Sequence, residues 1–148
     1  MLETRPHSEI PVLALTMGEP AGVGLELTLK VWRSARDRAA APAYVPLLYA
    51  DPAAVADYAQ RAGVSDPSKI VSSASEAQEL WPQYLPVIPV PLARHVEPGR
   101  PDPANGAAVI ASIEQATAAV VRGEAAAIVT NPIAKRVLHE AGFSYPGH

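Results

Sequence analysis

The sequence has 148 residues, of which 49% are hydrophobic and 18% are charged. This composition is typical of a globular domain that buries a core of its own. The net charge of −3, with no cluster of Lys and Arg, argues against nucleic-acid binding, and the lack of Cys excludes disulfides, thiolate catalysis and cysteine-based zinc sites.

The first residues, 1–10, carry charges of both signs and are predicted to form a flexible N-terminus. The apolar run Ile10–Leu15 is too short for a signal peptide or a membrane span. We therefore expect a cytoplasmic protein that has no membrane partner and is folded from residue 11 onward.

Short apolar runs alternate with amphipathic segments through the first half of the chain. The run Val12–Thr16 predicts a buried strand, followed by a glycine-rich loop and an amphipathic helix over Leu25–Arg36. A second strand is predicted over Tyr44–Tyr49, near a sheet edge because it contains Pro46. The Asp51-Pro52 pair then starts a helix that ends at Gly63.

The second half continues the alternation with weaker patterns. A very short strand is predicted at Ile70–Val71, a helical turn over Ser75–Trp81, and an extended segment over Leu85–Val90. After a long loop, Pro91–Ala104, an Ala-rich apolar stripe predicts the longest helix, Asn105–Val121, with Asn105 as its N-cap.

The last predicted unit is a strand, a sharp turn and a helix. The run that ends at Ile128–Thr130 predicts a buried strand, after which Asn131 is interpreted as a helix N-cap and Pro132 as the first helical residue. Gly142 is expected to end this helix. Strands that alternate with helices predict a layered α/β/α fold with a parallel or mixed sheet and helices on both faces.

The loop Gly18–Gly24 has the glycine spacing G-x-x-x-G-x-G, which is neither the dinucleotide fingerprint nor a P-loop. Its glycines, with the carboxylate of Glu19, either line a ligand cleft at the start of the next helix or form a tight turn without a ligand. Gly22 is expected to hold a positive φ, which would make it intolerant of a β-branched side chain.

Asn131 and Lys135 flank the last strand-to-helix turn, where a lysine early in a helix can reach an anion. The alternative is a helix cap beside a solvated lysine. The histidines are too widely spaced for a local metal motif, and no G-x-S-x-G nucleophile elbow is present, so we assign no metal ligand and no catalytic residue in this chain. These histidines are His7, His95, His139 and His148.

Two motifs carry a resemblance to a known family. The chain contains M-G-E-P-A-G-V-G-L-E near its start and T-N-P-I-A-K-R-V-L-H-E-A-G-F-S-Y-P-G-H at its end. Both resemble the 4-hydroxythreonine-4-phosphate dehydrogenase family of vitamin B6 biosynthesis, over Val12–His148. The resemblance implies that residues 11–148 form the first lobe of a two-lobed enzyme of isocitrate/isopropylmalate dehydrogenase type, and that the second lobe is absent from this chain.

The resemblance also implies the chemistry. The family oxidises 4-phosphooxy-L-threonine with NAD or NADP, and the product loses CO2 to leave 3-amino-2-oxopropyl phosphate. It works as a homodimer with a divalent metal (Zn, Mg or Co), whose ligands would lie beyond this chain, so the 148 residues alone are expected to be inactive. The family motif assigns substrate contact to His148, while Gly18, Glu19, Gly22, Asn131 and Lys135 are expected to line the cleft.

Two alternatives remain open at this point. Related enzymes oxidise other phosphorylated hydroxy acids, such as 4-phospho-erythronate or 4-phospho-threonate, and the first lobe separates them poorly. From a different class, the chain could be a non-catalytic α/β module that binds a small anion through its glycine loop.

Overall fold

A computed structural model of the chain describes residues 10–147 and shows a five-stranded sheet flanked by helices. The strands are β1 (Val12–Thr16), β2 (Val45–Ala50), β3 (Ser68–Ile70), β4 (Leu85–Pro89) and β5 (Ala127–Val129). The helices are α1 (Gly24–Arg36), α2 (Pro52–Arg61), α3 (Ala74–Leu80), α4 (Gly106–Val121) and α5 (Lys135–Glu140), and a 3-10 turn over Pro103–Asn105 precedes α4.

All strand pairs in the described part of the chain are parallel, in the order β3-β4-β2-β1-β5. Right-handed crossovers place α1 and α2 on one face of this sheet and α3 and α4 on the other, because the chain reverses its direction across the sheet after β3. The helix contacts agree: α1 packs on α2, and α4 packs on β1, β2 and β5. The predicted layered α/β fold is confirmed.

The core lies along the central strand β2, in which every residue is buried. The prediction that Pro46 places this strand near an edge was wrong, because β2 runs between β1 and β4. Pro46 is tolerated there because β4 pairs only with Leu48–Ala50, so at Pro46 the strand has a partner on the β1 side alone.

The strand β5 was predicted to be buried, and this prediction was wrong. It pairs with β1 through Leu13–Leu15 and is an edge strand of the described sheet. Its side chains are therefore open to solvent, with Ile128 37% and Val129 44% exposed. An apolar run predicts a strand without showing whether a neighbour covers it.

The side chains of the two asparagines predicted to be helix N-caps form hydrogen bonds with other parts of the chain. The last helix begins at Lys135, its N-cap position is Ala134, and no side chain caps it, because Asn131 is engaged in the core. Asn105 does occupy the N-cap position of α4, but its amide bonds to both backbone groups of Arg94 instead of the helix. These hydrogen bonds fix the long loop to the start of α4.

The longest helix was predicted correctly and packs inside the fold. The segment Pro103–Val121 is long and apolar enough, by length and composition, to cross a membrane. Here the buried positions of α4 face the sheet, and Ser112 accepts a hydrogen bond from the amide of Met17 and donates one to the carbonyl of Tyr49. The helix thus packs with one face on the sheet, and 33% of this segment is buried.

The start of the described chain is also packed. Ile10 is buried, and its carbonyl accepts a hydrogen bond of 2.8 Å from the side chain of Gln78. The remainder of the segment predicted to be flexible, residues 1–9, lies outside the described residues.

Candidate functional site at the carboxyl edge of the sheet

The carboxyl ends of β1 and β5 lie side by side, and the chain leaves them in opposite directions. β1 leads into α1 on one face, whereas β5 leads into α5, which packs on α4 on the other face. Such a switch point leaves a crevice outside the strand ends, where open parallel sheets place ligands. The candidate site residues of the two loops meet here.

Asn131 ties the two loops together. Its Nδ2 donates to the carbonyl of Thr16 at 2.9 Å and lies 3.1 Å from the hydroxyl of Thr28, while its backbone N–H donates to the hydroxyl of Thr16 at 3.1 Å. The residue is only 8% exposed. The side-chain amide hydrogens of Asn131 are therefore bonded within the protein. These bonds join β1, α1 and the loop after β5.

The glycines of the first loop make room for the second loop. Gly18 has φ +70°, and a Cβ built there would lie 2.6 Å from the carbonyl oxygen of Pro132. A Cβ at Gly24 would lie 2.9 Å from Cβ of Asn131. The expectation that Gly22 has a positive φ was wrong, because Gly22 is not among the glycines with positive φ. A Cβ built at Gly22 would lie 3.3 Å from the carbonyl oxygen of Glu19.

Glu19 is the buried carboxylate of the site. Its N–H donates to the carbonyl of Pro132 at 2.8 Å, and its Oε1 accepts from the N–H of Ala21 at 3.0 Å. Burial withdraws water from the carboxylate and raises the pKa of Glu19, an effect that the hydrogen bond from Ala21 opposes. The side chain is 6% exposed, so it holds the loop shape from within.

Two residues that were not predicted as site residues form hydrogen bonds with the same loop from other parts of the fold. The hydroxyl of Tyr58, on α2, donates to the carbonyl of Pro20 at 2.8 Å. The N–H of Gly99, in the long loop, donates to the carbonyl of Ala21 at 2.8 Å. Both contacts join segments far apart in sequence, and no local pattern signals them.

The remaining candidates lie away from this cluster or outside it. Lys135 is exposed at the first residue of α5. His148 lies outside the described residues. The ring of His95 is 3.4 Å from the carboxylate of Asp57, and Nδ1 of His139 is 2.7 Å from the carbonyl of Phe143, so both have local partners at the surface.

The described residues do not fit a metal or a dinucleotide by themselves. Within residues 10–147 no three acidic or histidine side chains come together as metal ligands. The loop after β5 occupies the space beside Gly18 and Gly24, so a pyrophosphate cannot approach the backbone from that side of these two glycines. The loops shape one wall of a crevice.

Fold and site together define a parallel, three-layer α/β domain whose polar residues gather at a switch point of the sheet. Residues 43–148 match the family described as pyridoxal phosphate biosynthetic protein PdxA, and the chain belongs to this family. This match includes the second of the two motifs, and the relatives described next cover 92% of the chain, so the resemblance is confirmed.

Known proteins similar to the chain are named 4-hydroxythreonine-4-phosphate dehydrogenases. It is 43% identical over 138 residues to a 4-hydroxythreonine-4-phosphate dehydrogenase of Methylorubrum extorquens, a match that covers 92% of this chain and 38% of that protein. A second such protein, of Bradyrhizobium diazoefficiens, is 43% identical and covered to 42%. The crystal structure of a 4-hydroxythreonine-4-phosphate dehydrogenase from Klebsiella pneumoniae superposes with a TM-score of 0.77 at 29% identity, over 93% of this chain and 42% of that one. The chain thus spans about two fifths of the length of these relatives.

Proposed function

We propose that the chain forms the first α/β lobe of an NAD(P)-dependent dehydrogenase that acts on 4-phosphooxy-L-threonine in pyridoxal phosphate biosynthesis. Oxidation of the secondary alcohol gives a β-keto acid, and loss of CO2 then leaves 3-amino-2-oxopropyl phosphate. The observation that carries this proposal is the 43% identity, over 92% of the chain, to a relative of that name.

The role we assign to this lobe is to bind and orient substrate at the carboxyl edge of the sheet. The two loops are held in a fixed relative position by the close contact of Gly18 and Asn131 and by the buried Glu19. Groups at the crevice wall are therefore preorganised. Lys135, an exposed cation at the first residue of α5, is proposed to pair with a phosphate or carboxylate of the substrate. His148 is proposed to contact the substrate.

The hydride acceptor and the divalent metal are assigned to residues outside this lobe, since the described residues hold no set that fits either. When bound, the metal would stabilise the developing alkoxide and NAD or NADP would accept the hydride. We further propose a homodimer located in the cytoplasm. On this basis the 148 residues by themselves do not turn over substrate.

A chimeric enzyme tests the proposal. This chain replaces the matching first part of the Methylorubrum extorquens relative, and reduction of NAD+ and NADP+ is followed with 4-phosphooxy-L-threonine and added Zn, Mg or Co. We expect turnover by the chimera and none by the 148-residue chain alone. A chimera that is folded and dimeric but inactive, beside an active parent, would refute the proposal.

The same assay separates the alternatives. Turnover of 4-phospho-erythronate or 4-phospho-threonate in preference to the threonine derivative would place the chain with related dehydrogenases. The non-catalytic alternative, in which the glycine loop binds a small anion, predicts that the chimera turns over none of these substrates.

A further inference from the structure

A groove runs between α1 and α2 on the outer helical layer, away from the crevice at the strand ends. It has a volume of about 570 Å³, and Pro98 of the long loop is among its lining residues. Its apolar lining includes the exposed Ala62 and Pro98 and the half-buried Val64, whereas Leu29 and Trp32, also in the lining, are only 5% and 4% exposed. The groove thus offers an apolar surface large enough for a ring system.

The sides of the groove carry an excess of positive charge. Lys30 is paired with Glu26 at 2.8 Å. By contrast, Arg33 and Arg61, which also line the groove, have no carboxylate within ion-pairing distance in the part of the chain that the structure describes. Two exposed guanidinium groups beside an apolar floor are complementary to an anion with an apolar body.

We propose that the groove between α1 and α2 binds a small amphipathic organic anion. Its apolar part would pack on Ala62, Val64 and Pro98, and its carboxylate, sulfonate or phosphate would pair with Arg33 and Arg61. This site goes beyond the proposed dehydrogenase function and does not depend on it.

The groove also borders the loop of the candidate site. Tyr58, which lines the groove, donates its hydroxyl hydrogen to the carbonyl of Pro20. Pro98 precedes Gly99, whose N–H is bonded to Ala21. An anion in the groove would therefore contact residues that hold the glycine loop, although it would not enter the crevice.

A fluorescence titration with a matched pair of probes tests the site. The anionic probe is 8-anilinonaphthalene-1-sulfonate, and the neutral one is N-phenyl-1-naphthylamine, which has the same rings without the sulfonate. Both are added to the 148-residue chain carrying Trp81→Phe, which leaves Trp32 as the energy donor. We expect the anionic probe to bind about tenfold more tightly, as one charge-assisted hydrogen bond allows.

Charge reversal provides the second arm. The double variant Arg33→Glu/Arg61→Glu should lose that tenfold preference, whereas Arg122→Glu, an exposed control after α4, should keep it. Circular dichroism and urea unfolding establish that each variant is folded. Equal binding of the two probes, or an unchanged preference in the folded double variant, would overturn the proposal.

Discussion

Asn131 donates a hydrogen bond of 2.9 Å to the backbone carbonyl of Thr16, a residue 115 positions earlier in the chain. The contact is buried, so losing it leaves polar groups without water or partner. We expect Asn131→Ala to lower the free energy of unfolding by about 1–3 kcal/mol. Urea unfolding measures it, with Lys135→Ala, exposed in the same segment, as a control expected to change stability by less than about 0.5 kcal/mol. A loss no greater than that of the control would contradict the role given to Asn131.

Gly18 and Gly63 form a matched pair for separating backbone strain from steric contact. Both have a positive φ, of +70° and +68°, but a Cβ at Gly18 would strike the carbonyl of Pro132 while one at Gly63 would meet nothing within 4 Å. Gly63→Ala should cost about 1 kcal/mol for the left-handed backbone alone. Gly18→Ala should cost at least about 1 kcal/mol more, because the neighbouring loop must move. Equal midpoints in urea would show that the loops are not in close contact.

Glu19→Gln should stabilise the protein, increasingly as the pH rises. The pKa of Glu19 is raised in the folded state, so between its unfolded and folded pKa the folded protein binds more protons. The free energy of unfolding of the parent protein therefore falls as the pH rises through that window. Above the window the full destabilisation by the ionised, buried carboxylate remains. Gln cannot ionise and can still accept from Ala21. The difference between variant and parent, measured by urea unfolding from about pH 4 to pH 8, should grow with pH.

Glu114→Gln, which removes an exposed carboxylate from α4, corrects that comparison for the change in net charge. If Glu19→Gln were less stable than the parent at neutral pH, the carboxylate would be stabilising and the assignment of burial as the dominant effect would be wrong.

Gly106 and Ala141 should compensate for each other. A Cβ at Gly106, where α4 begins, would collide with Cβ of Ala141 at the end of α5. Gly106→Ala should therefore destabilise by about 1–3 kcal/mol through overpacking. In the double variant Gly106→Ala/Ala141→Gly the methyl group only changes sides, so most of that loss should be recovered. A double-mutant cycle by thermal unfolding gives the coupling energy, and simple additivity would mean that the two helices do not touch there.

The elements of the fold were predictable because their causes are local. The apolar run Val12–Thr16, the cap-and-proline start at Asp51 and the long apolar stripe that ends near Val121 each act over a few residues. The side chain of Asp51 does accept from the N–H of Ala53, as an N-cap should. Periodicity therefore also led to the correct parallel α/β layering.

The roles of individual site residues were less predictable because their partners are distant in sequence. Asn131 beside Pro132 has the local pattern of a helix start, yet its acceptors lie on β1 and α1. The spacing of glycines in the loop does not distinguish Gly18 from Gly22. Gly18 has the positive φ, and the loop after β5 lies directly beside it. The role of Tyr58 could not be predicted, because a hydrogen bond from its hydroxyl to a carbonyl 38 residues away produces no periodic pattern in the sequence.

The outer side of β5 is open to pairing with a further strand in the described structure. The backbone of β5 bonds on one side to β1, so in the described structure its other side presents a row of N–H and C=O groups. Exposed apolar side chains of Ile128 and Val129 lie beside that row, and Leu27 and Val31 of α1 continue the apolar surface. Such an edge is a template for strand addition, so a high concentration of the protein favours edge-to-edge pairing of two sheets at β5 unless another segment occupies the edge.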